Sequence, residues 1–200
     1  LTAHERGEDV IMLATRRHQV DQLNHAARQA LIDRGRLSPR AVHAGGCELA
    51  VGDRVMTLRN WHRQGLTNGS RGTITRFNGE SPTIVFDDGG VRTLPSSYLH
   101  AGNLSHAYAM TVHKAQGATV DRSLVLADGA LFQEAGYTAL SRGRHENRLY
   151  LITEPDLGPD AHQHARPQPP TPLETVAREL SESHAKTMAL ELEPDLALEL

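Results

Sequence analysis

Val10-Ile11-Met12-Leu13-Ala14 is a short unbroken apolar run, the pattern of a strand buried on both faces. Thr15 follows in the place of an N-cap. Residues 17–34 then set Val20, Leu23, Ala27, Ala30 and Leu31 at three- and four-residue spacing among Asp, Arg, Gln and His. That spacing predicts an amphipathic helix seated on an apolar face and stopping near Gly35. A strand followed at once by a helix points to an α/β layer.

The period changes between about Cys47 and Leu99. Leu49 to Leu58 alternates as a strand, with a Gly52-Asp53 turn inside it. Thr73–Phe77, Thr83–Phe86 and Val91–Leu94 are further strand candidates, joined by Asn78-Gly79 and by Asp87-Asp88-Gly89-Gly90, both hairpin signals. Short strands at roughly 8–12-residue spacing predict a small barrel inserted into the α/β layer. After residue 100 the first regime returns. Residues 106–116 read as a short helix stopping at Gly117, 123–127 as a strand, 132–142 as a helix and 148–153 as a last strand.

The expected division is therefore a lobe made of 1–46 and 101–154, an insert over 47–100, a proline-rich linker over 155–172 and an acidic amphipathic helix with its tail over 173–200. Thr171-Pro172-Leu173-Glu174 reads as a capping box with proline at the first helical position, and Leu173, Val176, Ala177 and Leu180 form a narrow apolar face. That helix either docks on a partner or serves only to solubilise.

Charge sharpens the division. Residues 1–153 hold 18 basic against 14 acidic side chains, and residues 154–200 hold 3 against 10. The body is mildly basic and compatible with a polyanionic partner; the overall charge of −3 belongs to the tail. No run approaches the roughly 18 apolar residues of a membrane helix, and the single cysteine, Cys47, forms no internal disulfide. A cytoplasmic protein is expected. The chain opens on Leu1 with no leader pattern, which reads as a piece of a longer polypeptide.

Two stretches carry candidate chemistry. On the predicted helix 106–116, Thr111 and Lys114 share one face and His113 and Gln116 the adjacent one. This cluster either contacts phosphate oxygens or is a solvated face. In Tyr137-Thr138-Ala139-Leu140-Ser141-Arg142-Gly143-Arg144, an arginine at a helix end can project a rigid fork of donors toward phosphate, or simply complement the helix C-terminus. In the insert, Arg63 and Trp61 are candidates for stacking and charge contact with single strands; the other role open to Trp61 is a place in the small core. Twelve histidines include one close pair, His162 and His164, with no further ligand set at usable spacing, so no metal site is expected.

In this order the stretches resemble the carboxy-terminal motor lobe of superfamily 1 helicases of the RecD-like branch. His113-Lys114-Ala115-Gln116-Gly117 looks like motif V and Tyr137 to Arg144 like motif VI. Ala14-Thr15-Arg16-Arg17 through Leu23-Asn24 is similar to the motif IV strand and helix, and Gly52-Asp53-Arg54-Val55-Met56 with Asn68-Gly69 and Gly72 resembles the Src-homology-three-like barrel of that branch. The conjugative relaxase–helicases of plasmids are the best match. The resemblance implies a second RecA-like lobe with an inserted barrel, ATP and Mg2+ bound against an N-terminal RecA-like lobe, and movement 5′ to 3′ along single-stranded DNA. It makes Arg142 the arginine finger, sets Gln116, Gly117 and Arg144 near the nucleotide, and turns Thr111, His113 and Lys114 toward DNA. Many relatives carry an acidic residue two places after the motif V glycine. Here Thr119 stands there, with one hydrogen bond to offer and no charge.

A phosphate-cradling loop needs a Gly-Lys pair. Lys114 follows His113 and Lys186 follows Ala185, so neither that loop nor the Mg2+ ligands are expected in these 200 residues. The isolated chain is expected to be inactive on its own. A RecD-like repair helicase and a non-enzymatic single-strand-binding module are the rival readings.

Overall fold

The computed structural model describes residues 6–152 and 171–184. Of the linker expected over 155–172, residues 155–170 lie outside the described residues, as does the chain beyond 184, while Pro172 already belongs to a helix.

Four strands form a parallel sheet in the order β11-β10-β1-β9. They are β1 (Val10–Ala14), β9 (Ala109–Thr111), β10 (Val120–Ala127) and β11 (Gly143–Leu151). Helix α1 (Arg17–Asp33) packs on β1 and β9, while α3 (Gln133–Leu140) packs on β10 and β11. Ile11, Leu13, Val112, Val120, Val125, Leu131 and Ala139 fill the core of this layer. The mixed α/β lobe with a parallel sheet is as expected.

Between α1 and β9 the chain is antiparallel throughout. A hairpin of β2 (Ala41–Ala44) and β3 (Cys47–Ala50) precedes a five-stranded sheet in the order β7-β6-β5-β4-β8. Its strands are β4 (Arg54–Thr57), β5 (Arg71–Asn78), β6 (Ser81–Phe86), β7 (Val91–Thr93) and β8 (Leu104–His106). The short helix α2 (Ser96–His100) leads into β8. The antiparallel stretch thus runs over 41–106, longer at both ends than the 47–100 read from the pattern. Its own core holds Leu49, Val55, Leu66, Ile74, Ile84, Phe86, Leu94 and Leu99. The β5–β6 turn needs Gly79: Asn78 pairs with Ser81 across a two-residue loop, and Gly79 takes φ +61°. A side chain there would be strained.

Three expectations are corrected. Residues 106–116 are not a helix: β8 ends at His106, β9 follows, and residues 112–117 form a tight turn. Met12 N–H donates to Tyr108 O at 3.0 Å and Val112 N–H to Ala14 O at 3.0 Å. The backbone here completes a sheet edge, and a short apolar run does not by its period distinguish strand from helix. Thr15 is not the N-cap of α1; Arg16 is, its N–H donating to Gln19 Oε1, while the Thr15 hydroxyl donates to Asp128 Oδ1 at 2.7 Å. The most buried residues of α1 are Gln19, Asn24, Arg28 and Leu31; of the expected apolar set Leu31 is buried and Val20, Leu23, Ala27 and Ala30 are half-buried, because the sheet edge and the insert offer polar groups to the helix.

Helix α4 (Pro172–Ser181) forms as its capping box predicts, with Glu174 N–H donating to Thr171 Oγ1 at 3.2 Å. Val176 and Leu180 face α3, while Leu173 is exposed. Among the described residues, no helix is long and apolar enough to cross a membrane.

Candidate functional site

β10 and β11 are parallel neighbours with Val120 opposite Gly143, so the segments that enter them lie side by side. One is the 112–117 turn with Ala118 and Thr119; the other is Ser141-Arg142. Val120 N–H donates to Arg142 O at 3.0 Å. The Arg142 guanidinium closes the junction: Nη1 donates to Ala118 O at 3.0 Å, Nε to Thr138 O at 2.7 Å and Nη2 to Ser141 Oγ at 2.8 Å. Of five N–H donors three are engaged, leaving two for an anion. Gln116 and Gly117 are exposed beside it, and Gly117 has open space where a Cβ would stand. Arg144 is exposed and lies 3.8 Å from Asp121 Oδ1. Thr119 is exposed. Among the described residues, no three His, Cys, Asp or Glu side chains form a metal-binding set.

At the other end of the strands, Thr111 pairs with Ala14 at the exit of β1. Thr111, His113 and Lys114 line a cleft of about 1260 Å³ between α1 and the antiparallel insert. Arg17 and His25 of α1 and Leu58, Asn68 and Ser105 of the insert line its other sides. The turn after β9 keeps Thr111 and Lys114 together, since Ala115 N–H donates to Thr111 O at 3.1 Å and Lys114 N–H to Thr111 Oγ1 at 3.3 Å. Partial burial, and then the neighbouring Arg17 guanidinium, lowers the Lys114 pKa below the ordinary lysine value. Arg17, Arg28 and Lys114 line the cleft together with the carboxylates Asp21 and Glu48. Trp61 and Arg63 do not line this cleft. Trp61 stacks on Tyr98 with ring centroids 5.4 Å apart and packs against the insert's core, whereas Arg63 is exposed on a single 3-10 turn.

A network that the sequence reading passed over joins the two sheets. Asp53 is fully buried and accepts hydrogen bonds from Arg28 Nε at 3.2 Å, Ala50 N at 2.7 Å and Tyr108 Oη at 2.8 Å. Burial and the Asp53 carboxylate push the Tyr108 phenol far up. His106, 4.0 Å from Asp53, is lowered by burial. The signal available was an acidic residue in a Gly-Asp turn, indistinguishable in sequence from ordinary turn chemistry.

No family model matches the chain. The conjugal transfer protein TraA of Rhizobium radiobacter is 32% identical over 155 residues, which is 75% of this chain and 14% of that protein. The probable TraA of Sinorhizobium fredii is 35% identical over 146 residues, 70% of this chain and 13% of that one. An ATP-dependent RecD2 DNA helicase of Deinococcus radiodurans is 33% identical over 129 residues, 62% of this chain and 17% of that protein. The chain is a relative of the TraA conjugal transfer proteins and is similar to RecD-like superfamily 1 helicases. Its fold agrees: a Bacteroides Pif1 structure bound to single-stranded DNA superposes with a TM-score of 0.54 at 22% identity, covering 70% of this chain and 40% of that one. The chain spans about one seventh of the length of the TraA proteins it matches.

Proposed function

We propose that the chain is the second RecA-like lobe of an ATP-dependent motor that moves along single-stranded DNA, within a conjugative relaxase–helicase. The observation that carries the reading is the Arg142 guanidinium, held on Ala118 O at 3.0 Å with two donors unspent. That bond joins the residue after the 113–117 stretch to the 137–144 stretch at one end of the sheet, where an N-terminal RecA-like lobe would complete a cleft. The 41–106 stretch is the inserted barrel in this reading, and its face toward α1 forms one wall of the DNA path. The kinship with proteins named for conjugal transfer favours the relaxase–helicase over a repair helicase or a passive binding module.

The chain's own contribution is electrostatic. Arg142 would place its free N–H groups on the transferring phosphoryl oxygens, where an arginine finger contributes on the order of 10³–10⁵-fold. Gln116, Gly117 and Arg144 would border the nucleotide. Bound ATP with Mg2+ supplies the phosphoryl group, and the Mg2+ ligands belong to the other lobe. Thr111, His113 and Lys114 would contact the DNA backbone in the cleft, with Arg63 and half-exposed Trp61 extending the path across the insert. The 112–117 turn would run between the DNA end of the sheet and the nucleotide end.

In the full-length parent, Arg142→Ala is expected to lower DNA-stimulated ATP turnover by at least about 10³-fold while single-strand affinity changes little. Turnover near the parent's level would remove the finger assignment. The 200-residue chain alone is expected to show no turnover, and DNA-stimulated hydrolysis by it would refute the two-lobe requirement.

A further inference from the structure

Helix α3 has eight residues, too few to hold its shape unaided, and it ends two residues before Arg142. Its exit is fixed by Arg142 Nε on Thr138 O and by Ser123 Oγ on Ala139 O at 3.2 Å. Its entry is fixed by residues 171–184, a segment distant in sequence. Gln133 N–H, one of the amides a helix start leaves without an internal partner, donates to Glu182 O at 3.0 Å. His184 N–H donates to Glu134 Oε2 at 3.1 Å, and the Ser183 hydroxyl to the other oxygen of that carboxylate. The His184 ring stacks on Phe132 at 4.7 Å.

The apolar half of the contact is equally specific. Val176 is 5% exposed and belongs to the lobe core with Leu131 and Ala139. Leu180 lies on Gly136, where a Cβ would collide with Leu180 Cδ2. Glycine is a poor residue for the middle of a short helix. Here its missing side chain is the clearance that lets α4 approach.

We propose that residues 171–184 are an intramolecular clamp that orders α3 and so positions Arg142, with Gly136, Val176 and Leu180 as its positioning residues. Its consequence for turnover rests on the reading of Arg142 as the nucleotide-facing group; the ordering of α3 does not.

The test uses the whole 200-residue chain and two variants. Leu180→Asp removes the apolar contact, and Gly136→Ala removes the clearance while raising the helix propensity of α3. The readouts are amide hydrogen exchange and the 15N-edited resonance of Arg142 Nε–H. In Leu180→Asp, α3 amides are expected to exchange at least about tenfold faster and the Arg142 signal to shift, with α1 and β5 amides unchanged and Leu180→Met like the parent chain. If Leu180→Asp unfolds globally, Gly136→Ala decides. A clamp predicts a displaced Arg142 signal despite the better helix former, and mere cover predicts a more protected α3 with Arg142 undisturbed. Unchanged exchange and an unchanged Arg142 signal in both variants overturn the proposal. In the full-length parent, Leu180→Asp is expected to lower kcat about tenfold at unchanged half-saturating single-stranded DNA, and Leu180→Met to restore it. Equal kcat in the two would overturn positioning. A parent with no turnover at all would refute the motor reading, leaving the resonance to decide the clamp.

Discussion

Helix α1 is seated through Gln19 and Asn24 on the lobe and through Arg28 on the insert, whereas α4 reaches the lobe through Val176 and Leu180. The first seat is a series of directed bonds. Gln19 Nε2 donates to Asp128 Oδ2 at 2.9 Å, the Asn24 amide bonds both backbone groups of Ala109, and Arg28 holds Asp53. The second seat is mainly apolar area removed from water, with its directed bonds confined to Glu182, Ser183 and His184 at the far end of the segment. A polar seat admits one register, since a slip leaves buried donors and acceptors unpaired. The directed seat is found where register has consequences. α1 walls the candidate DNA cleft, and through Asp53 it fixes the insert that forms the opposite wall.

The comparison predicts that single-residue truncations in the first seat cost more than in the second. Asp53→Ala leaves Arg28, whose side chain is 11% exposed, with Glu48 at 3.4 Å as its ion-pair partner, and takes away the acceptor of the Tyr108 hydroxyl and of Ala50 N–H. Removing one partner of a buried ion pair costs about 3–5 kcal/mol. Urea denaturation of the 200-residue chain is expected to show a loss in that range. A loss under about 1 kcal/mol, as for an exposed pair, would mean the polar seat is ornamental and the comparison false.

Asn24→Ala is the intermediate case. The Asn24 side chain accepts from Ala109 N at 2.8 Å and donates to Ala109 O at 3.1 Å, capping the outer edge of β9. Its loss leaves one donor and one acceptor buried, at about 1–3 kcal/mol. Hydrogen exchange localises the effect: amides of β9 and the 112–117 turn are expected to lose protection before those of β10 and β11. Uniform loss across the sheet would show that Asn24 supports the fold at large and not this edge.

How much of this was legible follows from the range of each contact. The β1 run, the Asn78-Gly79 and Asp87–Gly90 hairpins and the Thr171 capping box are local patterns, and each appears where the sequence places it. The strand at 109–111 was read as helix because its partner, β1, lies about a hundred residues away. The seat of α1 was read as apolar for the same reason, since Asp53, Ala109 and Asp128 are 25, 85 and 109 positions from the residues they bind. The approach of Arg142 to Ala118 depends on β10 and β11 being neighbours, which no periodicity announces; the family resemblance alone put those stretches together. Strand 143–147 escaped notice because Arg144, His145, Glu146 and Asn147 carry no apolar alternation.

The smallest effect belongs to the start of α4. Glu174 N–H donates to Thr171 Oγ1, and Thr171 N–H donates back to Glu174 Oε2 at 2.8 Å. The Thr171 backbone N–H, and then its hydroxyl, hold the Glu174 carboxyl below its ordinary value. A carboxyl whose folded pKa is depressed stabilises above its unfolded value, near 4.3, and that contribution is lost as pH falls through the folded value. Thr171→Ala is expected to cost about 1 kcal/mol at pH 7, and the gap between variant and parent should narrow as pH falls below about 4. Urea midpoints at pH 7 and pH 3.5 check it. Val176 and Leu180 are untouched by the change, so the apolar seat should hold α4 in place throughout. Thr171→Ala keeps the backbone N–H bond to Glu174 and removes only the hydroxyl's bond to that carboxylate at 2.9 Å, so a gap independent of pH would show that the hydroxyl–carboxylate bond adds nothing to the cap.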